Sequence, residues 1–249
     1  MAVVSSVRGG IRLVSRVLRQ AEGKPRLGPV VWVRSVSDSS PLRSDVQGVV
    51  KGVEGEHSWL CGSSAAVLET VRGHVEVKEN FITEEEESAL LQELEPGLKK
   101  KRYEFDHWDD AIHGYRETER LQWGSVCTGV LGRVRAVAFP EGSPLLGPVH
   151  VLDLDKAGYI KPHVDSIKFC GSTIAGLSLL SDSVMRLVLE DNSADWVDLL
   201  LSRRSLYILR DETRFKFTHE ILKDADSCFS GQRVPRHRRI SVICRNLPV

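Results

Sequence analysis

Thr173-Ile174-Ala175-Gly176-Leu177-Ser178-Leu179-Leu180 and, after Ser181-Asp182-Ser183, Val184-Met185-Arg186-Leu187-Val188-Leu189-Glu190 are the runs that decide the fold class. Apolar runs this short, rich in β-branched residues and bounded by Ser and Asp, are strands rather than helices. Working outward, the same pattern recurs upstream at Val149–Leu154 and Tyr159–Pro162. It recurs downstream at Trp196–Leu201, Ser205–Arg210, Phe215–His219 and Arg239–Arg245. Short strands at this density make a β-sandwich or jelly roll.

Before Pro144 the apolar residues recur at helical spacing instead. Thr83 is placed as an N-cap, Glu86 completes a capping box, and Glu84 to Glu87 put negative charge at the positive helix end. Leu90, Leu91 and Leu94 supply the buried face, and Pro96-Gly97 is expected to end or break this helix. A second helix is expected over roughly 117–138, with Leu121, Val126, Val130, Leu131, Val134 and Val137 inward. The expected class is therefore α+β, mainly β: a double-stranded β-helix (jelly roll) with supporting helices on one sheet, spanning residues 75–249. Residues 41–74, with Pro41 and several glycines, read as a flexible linker.

The formal net charge of 0 conceals a split. Residues 1–50 carry eight Lys/Arg and three acids, or +5, which leaves 26 basic and 31 acidic side chains, or −5, in the remainder. Val7, Ile11, Val14 and Leu18 recur opposite Arg8, Arg12 and Arg19, and no acid precedes Glu22. An amphipathic, Arg-rich, acid-poor start reads as a mitochondrial transit peptide over 1–40, removed between Glu22 and Ser40, with the mitochondrial matrix as destination. No run approaches the roughly 18 apolar residues of a membrane helix. Five scattered cysteines without a Cys-x-x-Cys argue against a disulfide framework and a zinc ribbon. A chain without net basic charge is poorly suited to grip nucleic acid through a whole-molecule field.

Three His-x-Asp/Glu triplets stand out: His74-Val75-Glu76, His107-Trp108-Asp109 and His163-Val164-Asp165. With eight His and 34 acids, about one arises by chance, so the triplet alone is weak. Context separates the third. His163 and Asp165 follow a strand, and alternate residues of extended chain share a side, so both can reach one ion. His219 follows 54 residues later in another strand, and Arg239 and Arg245 follow on one face of the last. Neither His74 nor His107 has such a series. His74-Glu76 reads as a polar strand edge and His107-Asp109 as surface or a substrate-side feature.

Tyr159-Ile160-Lys161-Pro162-His163-Val164-Asp165-Ser166-Ile167-Lys168-Phe169-Cys170-Gly171 resembles the AlkB-type iron(II)/2-oxoglutarate dioxygenases. Phe217-Thr218-His219-Glu220-Ile221 and Arg238-Arg239-Ile240-Ser241-Val242-Ile243-Cys244-Arg245 continue the likeness. The resemblance implies Fe(II) held by His163, Asp165 and His219 as the catalytic and metal residues. It implies 2-oxoglutarate as cosubstrate with molecular oxygen. Arg239 would fork onto the distal carboxylate of 2-oxoglutarate, which a planar guanidinium suits better than an ammonium. Arg245 would sit deeper, near Asp165 or the metal-bound end of the cosubstrate. Ser241 and Ile243 would line the pocket, and Tyr207 would donate a hydrogen bond to the cosubstrate.

Two departures bear on the substrate. Leu152-Asp153-Leu154 stands where repair members carry Asn-x-Tyr, and Ser241 stands where Asn is common. The Lys99–Arg120 region also lacks the nucleotide-recognition pattern of those members. With the acidic catalytic region, this points to hydroxylation of a C–H bond in a protein or small metabolite. The alternative within the family is demethylation of alkylated mitochondrial RNA, such as tRNA, served by the basic clusters Lys99–Arg102 and Arg233–Arg239. The alternative of another class is a catalytically inactive jelly-roll interaction protein. A monomer is the expected state, and Cys170 and Cys244 are expected as reduced packing residues.

Overall fold

The computed structural model describes residues 52–107 and 110–248. The segment read as a transit peptide lies outside them. Among the described residues, no helix is long and apolar enough to cross a membrane.

β6 (Val149–His163) is the spine of the molecule. On one side it pairs with β5 (Ile112–Arg120) from Val149 to Ile160; on the other its first half pairs with β14 (Arg239–Arg245) and, towards its end, Ile160 and His163 pair with β11 (Phe217–Ile221). From β14 the sheet runs on through β7 (Thr173–Leu179) and β10 (Ser205–Arg210) to β3 (Val75–Lys78). From β11 it runs through β8 (Ser183–Leu189), β9 (Asn192–Leu201) and β2 (Leu60–Gly62) to β1 (Val53–Glu54). β4 (Glu104–Asp106) adds to β5, and β12 (Cys228–Phe229) and β13 (Gln232–Arg233) pair apart from this sheet. The pairings are antiparallel throughout.

The two halves curl over one core. Leu152, Leu154, Ile174, Tyr207 and Ile243 from one half meet Met185, Leu187, Val197, Leu199 and Phe217 from the other. This is the expected double-stranded β-helix. The outer face of the β6–β14–β7–β10 half is covered by α2 (Glu84–Leu98) and α3 (Ser125–Ala138). Leu90, Leu94, Leu98, Val130 and Val134 pack there against Val151, Leu177, Ile208 and Val242. Strand alternation makes both layers from one sequence. On β14, Ile240, Val242 and Cys244 join the helices, while Ile243 and its same-face neighbours Arg239, Ser241 and Arg245 point into the curl.

The structure corrects several expectations. The second helix does not start at 117: residues 112–120 are β5, and α3 begins at Ser125. Leu121, Val126 and Val137, expected inward, are 72%, 53% and 40% exposed. Long antiparallel pairing with β6 overrides the local helical spacing of this stretch. α2 does not stop at Pro96 but carries it inside its last turn and ends at the fully buried Leu98. Val149–Leu154 and Tyr159–Pro162 are one strand. Residues 211–216, partly assigned to a strand, form the short helix α4 (Asp211–Lys216). The stretch read as linker is folded from residue 52 onwards: β1, β2 and α1 (Ala65–Val71) precede residue 75, and β2 pairs with β9. The folded unit thus begins before residue 75. All five cysteines are free, with Cys244 buried and Cys170 half-buried.

The capping box of α2 forms as expected. The Thr83 hydroxyl accepts from Glu86 N at 3.2 Å, and Glu86 Oε2 accepts from Thr83 N at 3.0 Å. Arg133 on α3 adds a salt bridge to Glu86 at 2.6 Å, joining the two helices. Hydrogen bonding from Arg133, then from the Thr83 amide, pulls the Glu86 carboxyl down to about 2. A carboxyl lower in the folded than in the unfolded chain stabilises above its unfolded value, and that contribution is lost as pH falls towards 2. The stability gap between the wild type and Glu86→Gln, read from thermal melts, is therefore expected to be full at pH 6 and to close between about pH 4.5 and pH 2.

Candidate metal and cosubstrate site

His163 ends β6 and His219 lies mid-way along β11, and the two strands pair these residues directly. Their rings sit 4.3 Å apart, centroid to centroid. Asp165 lies just past the strand, its Oδ1 at 3.5 Å from His163 Nε2 and 3.8 Å from His219 Nε2. One ligand atom from each of the three falls within 4.8 Å of the others, and the described residues contain no other such group of three. The sequence series thus converges on one point inside the curl.

The protonation states suit a metal. His163 Nδ1 lies 2.9 Å from the Lys161 carbonyl oxygen, which can only accept, so Nδ1 carries a proton and Nε2 is the nitrogen turned to Asp165 Oδ1. Burial, then the neighbouring His163, lowers His219 to about 3, which keeps that ring neutral. Burial pushes the Asp165 carboxyl up, but the Arg245 guanidinium together with the His163 and His219 imidazoles outweighs this and holds it well below the usual range. Arg245 Nε donates to Asp165 Oδ2 at 2.7 Å, leaving Oδ1 turned to the two imidazoles. Two imidazoles and a carboxylate on one face are a donor set that fits a divalent iron with open positions.

Beside this group lies a buried cation. Arg239 is 1% exposed, and its guanidinium donates to hydroxyl oxygens, Nε to Ser178 Oγ at 3.1 Å and Nη1 to Ser241 Oγ. Its Nη2 is buried without a hydrogen-bond partner. Burial pushes this guanidinium down in pKa, and the Tyr207 hydroxyl beside it opposes the shift. An orphaned guanidinium nitrogen in a protein interior fits an incoming carboxylate, which supplies both charge and acceptor. Tyr207 reaches the site across β7 because residue 176 is Gly: a Cβ there would lie 2.4 Å from the Tyr207 ring. Burial raises the Tyr207 hydroxyl, which keeps it a donor, against the lowering effect of Arg239. Ile243 lines the same face and belongs to the inner core.

The departures noted in sequence also find a place. Leu152 and Leu154 face inward. Asp153 faces the other way and is fully buried, taking Arg116 at 2.7 Å and Arg238 at 2.8 Å. His74-Glu76 lies apart from the site, with Glu76 bonded to Arg210. His107 packs edge-on against Tyr115, and Asp109 lies outside the described residues. Sequence reading passed over Ser178, His150 and Glu117. Each lies on an inward strand face, but only the register between strands brings it to an arginine of β14 or to that arginine's partner.

No protein-family model matches the chain. Over 193 residues it is 57% identical to the bovine (Bos taurus) "Alpha-ketoglutarate-dependent dioxygenase alkB homolog 7, mitochondrial", covering 78% of this chain and 87% of that protein. Over 191 residues it is 58% identical to the mouse (Mus musculus) protein of the same name, covering 77% and 86%. The chain belongs to the alkB homolog 7 family. It is thus a mitochondrial enzyme of the dioxygenase class. Among solved structures, that of OsALKBH1 superposes with a TM-score of 0.51 at 11% identity, covering 69% of this chain and 97% of that one. At that identity the likeness is one of fold, and it agrees with the curled sheet described above.

Proposed function

We propose that this alkB homolog 7 family member couples oxidation of 2-oxoglutarate by molecular oxygen to hydroxylation of a C–H bond in a mitochondrial protein or small metabolite, in the matrix. The observation that carries the cosubstrate assignment is the orphaned Nη2 of buried Arg239 beside the His163–Asp165–His219 group. Those three residues would hold Fe(II), which when bound supplies the activation of oxygen and the decarboxylation of 2-oxoglutarate to succinate. The rest of the work falls to the chain. Arg239, steadied by Ser178 and Ser241, grips the distal carboxylate. The Tyr207 hydroxyl donates to the cosubstrate, and Ile243 packs against its methylene groups. Arg245 keeps Asp165 ionised and turned, and the inner core excludes bulk water.

A protein or metabolite is favoured over RNA because most members of the basic clusters are already engaged. Arg233 pairs with Asp224 and Arg238 with Asp153 and Glu95; Arg236 is fully buried on backbone carbonyls. Lys99 pairs with Glu95, and Lys101 Nζ donates to the Glu117 carbonyl. Phosphate binding needs cations that are not spent on internal partners. The test compares mitochondria with and without active protein by untargeted mass spectrometry of peptides, metabolites and RNA. A peptide or metabolite that gains one oxygen atom only with active protein supports the reading. Loss of a methyl group from RNA as the sole change would overturn it.

A further inference from the structure

We propose that His150 and Glu117 form a positioning relay that fixes the orientation of Arg245 and, through it, selects which oxygen of Asp165 faces the metal. The inference rests on the reading of Asp165 as an iron ligand. Arg245 Nη1 lies 3.3 Å from His150 Nδ1. An arginine only donates, so this nitrogen of His150 is the acceptor and the neutral ring carries its proton on Nε2. His150 Nε2 in turn lies 2.9 Å from Glu117 Oε2 and donates to it. Hydrogen bonding from His150 holds the Glu117 carboxyl below its usual range, so the acceptor is a carboxylate.

The relay spans three strands and one loop. β14 pairs Ile243 with His150, which puts Arg245 two residues further along the same inward face. β5 pairs Glu119 with His150, which puts Glu117 one same-face step away. The inner end, Asp165, is 11% exposed at its side chain, and the outer end, Glu117, is 41% exposed. The relay is thus a strut from the rim of the curl to its centre. One bond from Nε to Asp165 leaves a guanidinium able to pivot about that bond. The second bond, from Nη1 to His150, fixes its plane. With Arg245 fixed on Oδ2, Asp165 presents Oδ1 to the point where the two imidazoles converge. Partners behind metal ligands typically change metal affinity by about 10- to 100-fold when removed.

The test measures Fe(II) affinity of the full chain by anaerobic calorimetry, with thermal melts alongside, for wild type, His150→Phe, Glu117→Ala and Glu117→Gln. His150→Phe keeps a ring but no acceptor, and Glu117→Gln keeps an acceptor for Nε2–H. Fe(II) affinity is expected to fall about tenfold or more in His150→Phe and Glu117→Ala, and to stay within about threefold of wild type in Glu117→Gln. Unchanged affinity in the first two, whatever their melting temperatures, would overturn the relay while leaving the iron site standing. A wild-type protein that binds no Fe(II) would overturn the underlying reading and the relay with it. Should His150→Phe fail to fold, Glu117→Ala decides alone, since its side chain is half-exposed.

Discussion

His163→Ala is expected to form no succinate from 2-oxoglutarate above the iron-free background, a fall of at least about a hundredfold. A bound metal supplies several kcal/mol of transition-state stabilisation, and each 1.36 kcal/mol is about a factor of ten in rate. His163 is the better of the ligand substitutions to test because of what it leaves behind. The salt bridge from Arg245 to Asp165 at 2.7 Å survives it, so no buried charge is stranded. Asp165→Ala, by contrast, removes the carboxylate that pairs with the largely buried Arg245, and such changes cost about 3–5 kcal/mol of stability. The two variants should therefore both be inactive but differ in melting temperature, with His163→Ala the closer to wild type. Succinate release at the wild-type rate from folded His163→Ala would sink the iron assignment.

Arg239→Met is expected to weaken 2-oxoglutarate binding by about 2–4 kcal/mol, roughly 30- to 1000-fold in the concentration that half-saturates turnover. The same substitution is expected to leave the melting temperature of the cosubstrate-free protein unchanged or to raise it. Arg239 is buried, its bonded partners are hydroxyls, and one of its nitrogens has no partner. Replacing a buried cation that lacks a carboxylate by an apolar side chain of similar length removes a desolvation penalty. Arg239→Lys keeps the charge but not the fork, and is expected to recover only part of the affinity. Wild-type affinity in Arg239→Met would show that another group grips the distal carboxylate, whereas a large drop in melting temperature would show that Arg239 is there to stabilise the fold.

The local order of residues was enough for much of this. Period-two alternation in Arg239-Ile240-Ser241-Val242-Ile243-Cys244-Arg245 already separates an outward apolar face from an inward polar one, because successive strand residues point to opposite sides whatever their neighbours. The box of Thr83 and Glu86 is likewise legible, since a cap is made within one helical turn. The His163-x-Asp165 pair is local too. The misreadings came where local signals conflict with distant partners. Residues 117–120 carry helical spacing when taken with 121–138, yet they pair in register with Val149–Leu152 of β6. The folded stretch from residue 52 looked like linker because its short strands gain their hydrogen bonds from β9 and from each other.

Register is the part that no local pattern contains. Alternation says which side a residue faces, but a shift of one position between strands would face every side chain the other way, and a shift of two would give it different neighbours. That His163 lies opposite His219 and that His150 stands between Glu117 and Arg245 follow from how β6 is shared among β5, β11 and β14, and that Ser178 sits under Arg239 follows from how β14 pairs with β7. Those pairings are chosen by the burial of the common core. The residues that bear the chemistry were thus marked by short-range order, and the distances that let them act together were set by packing across the whole domain.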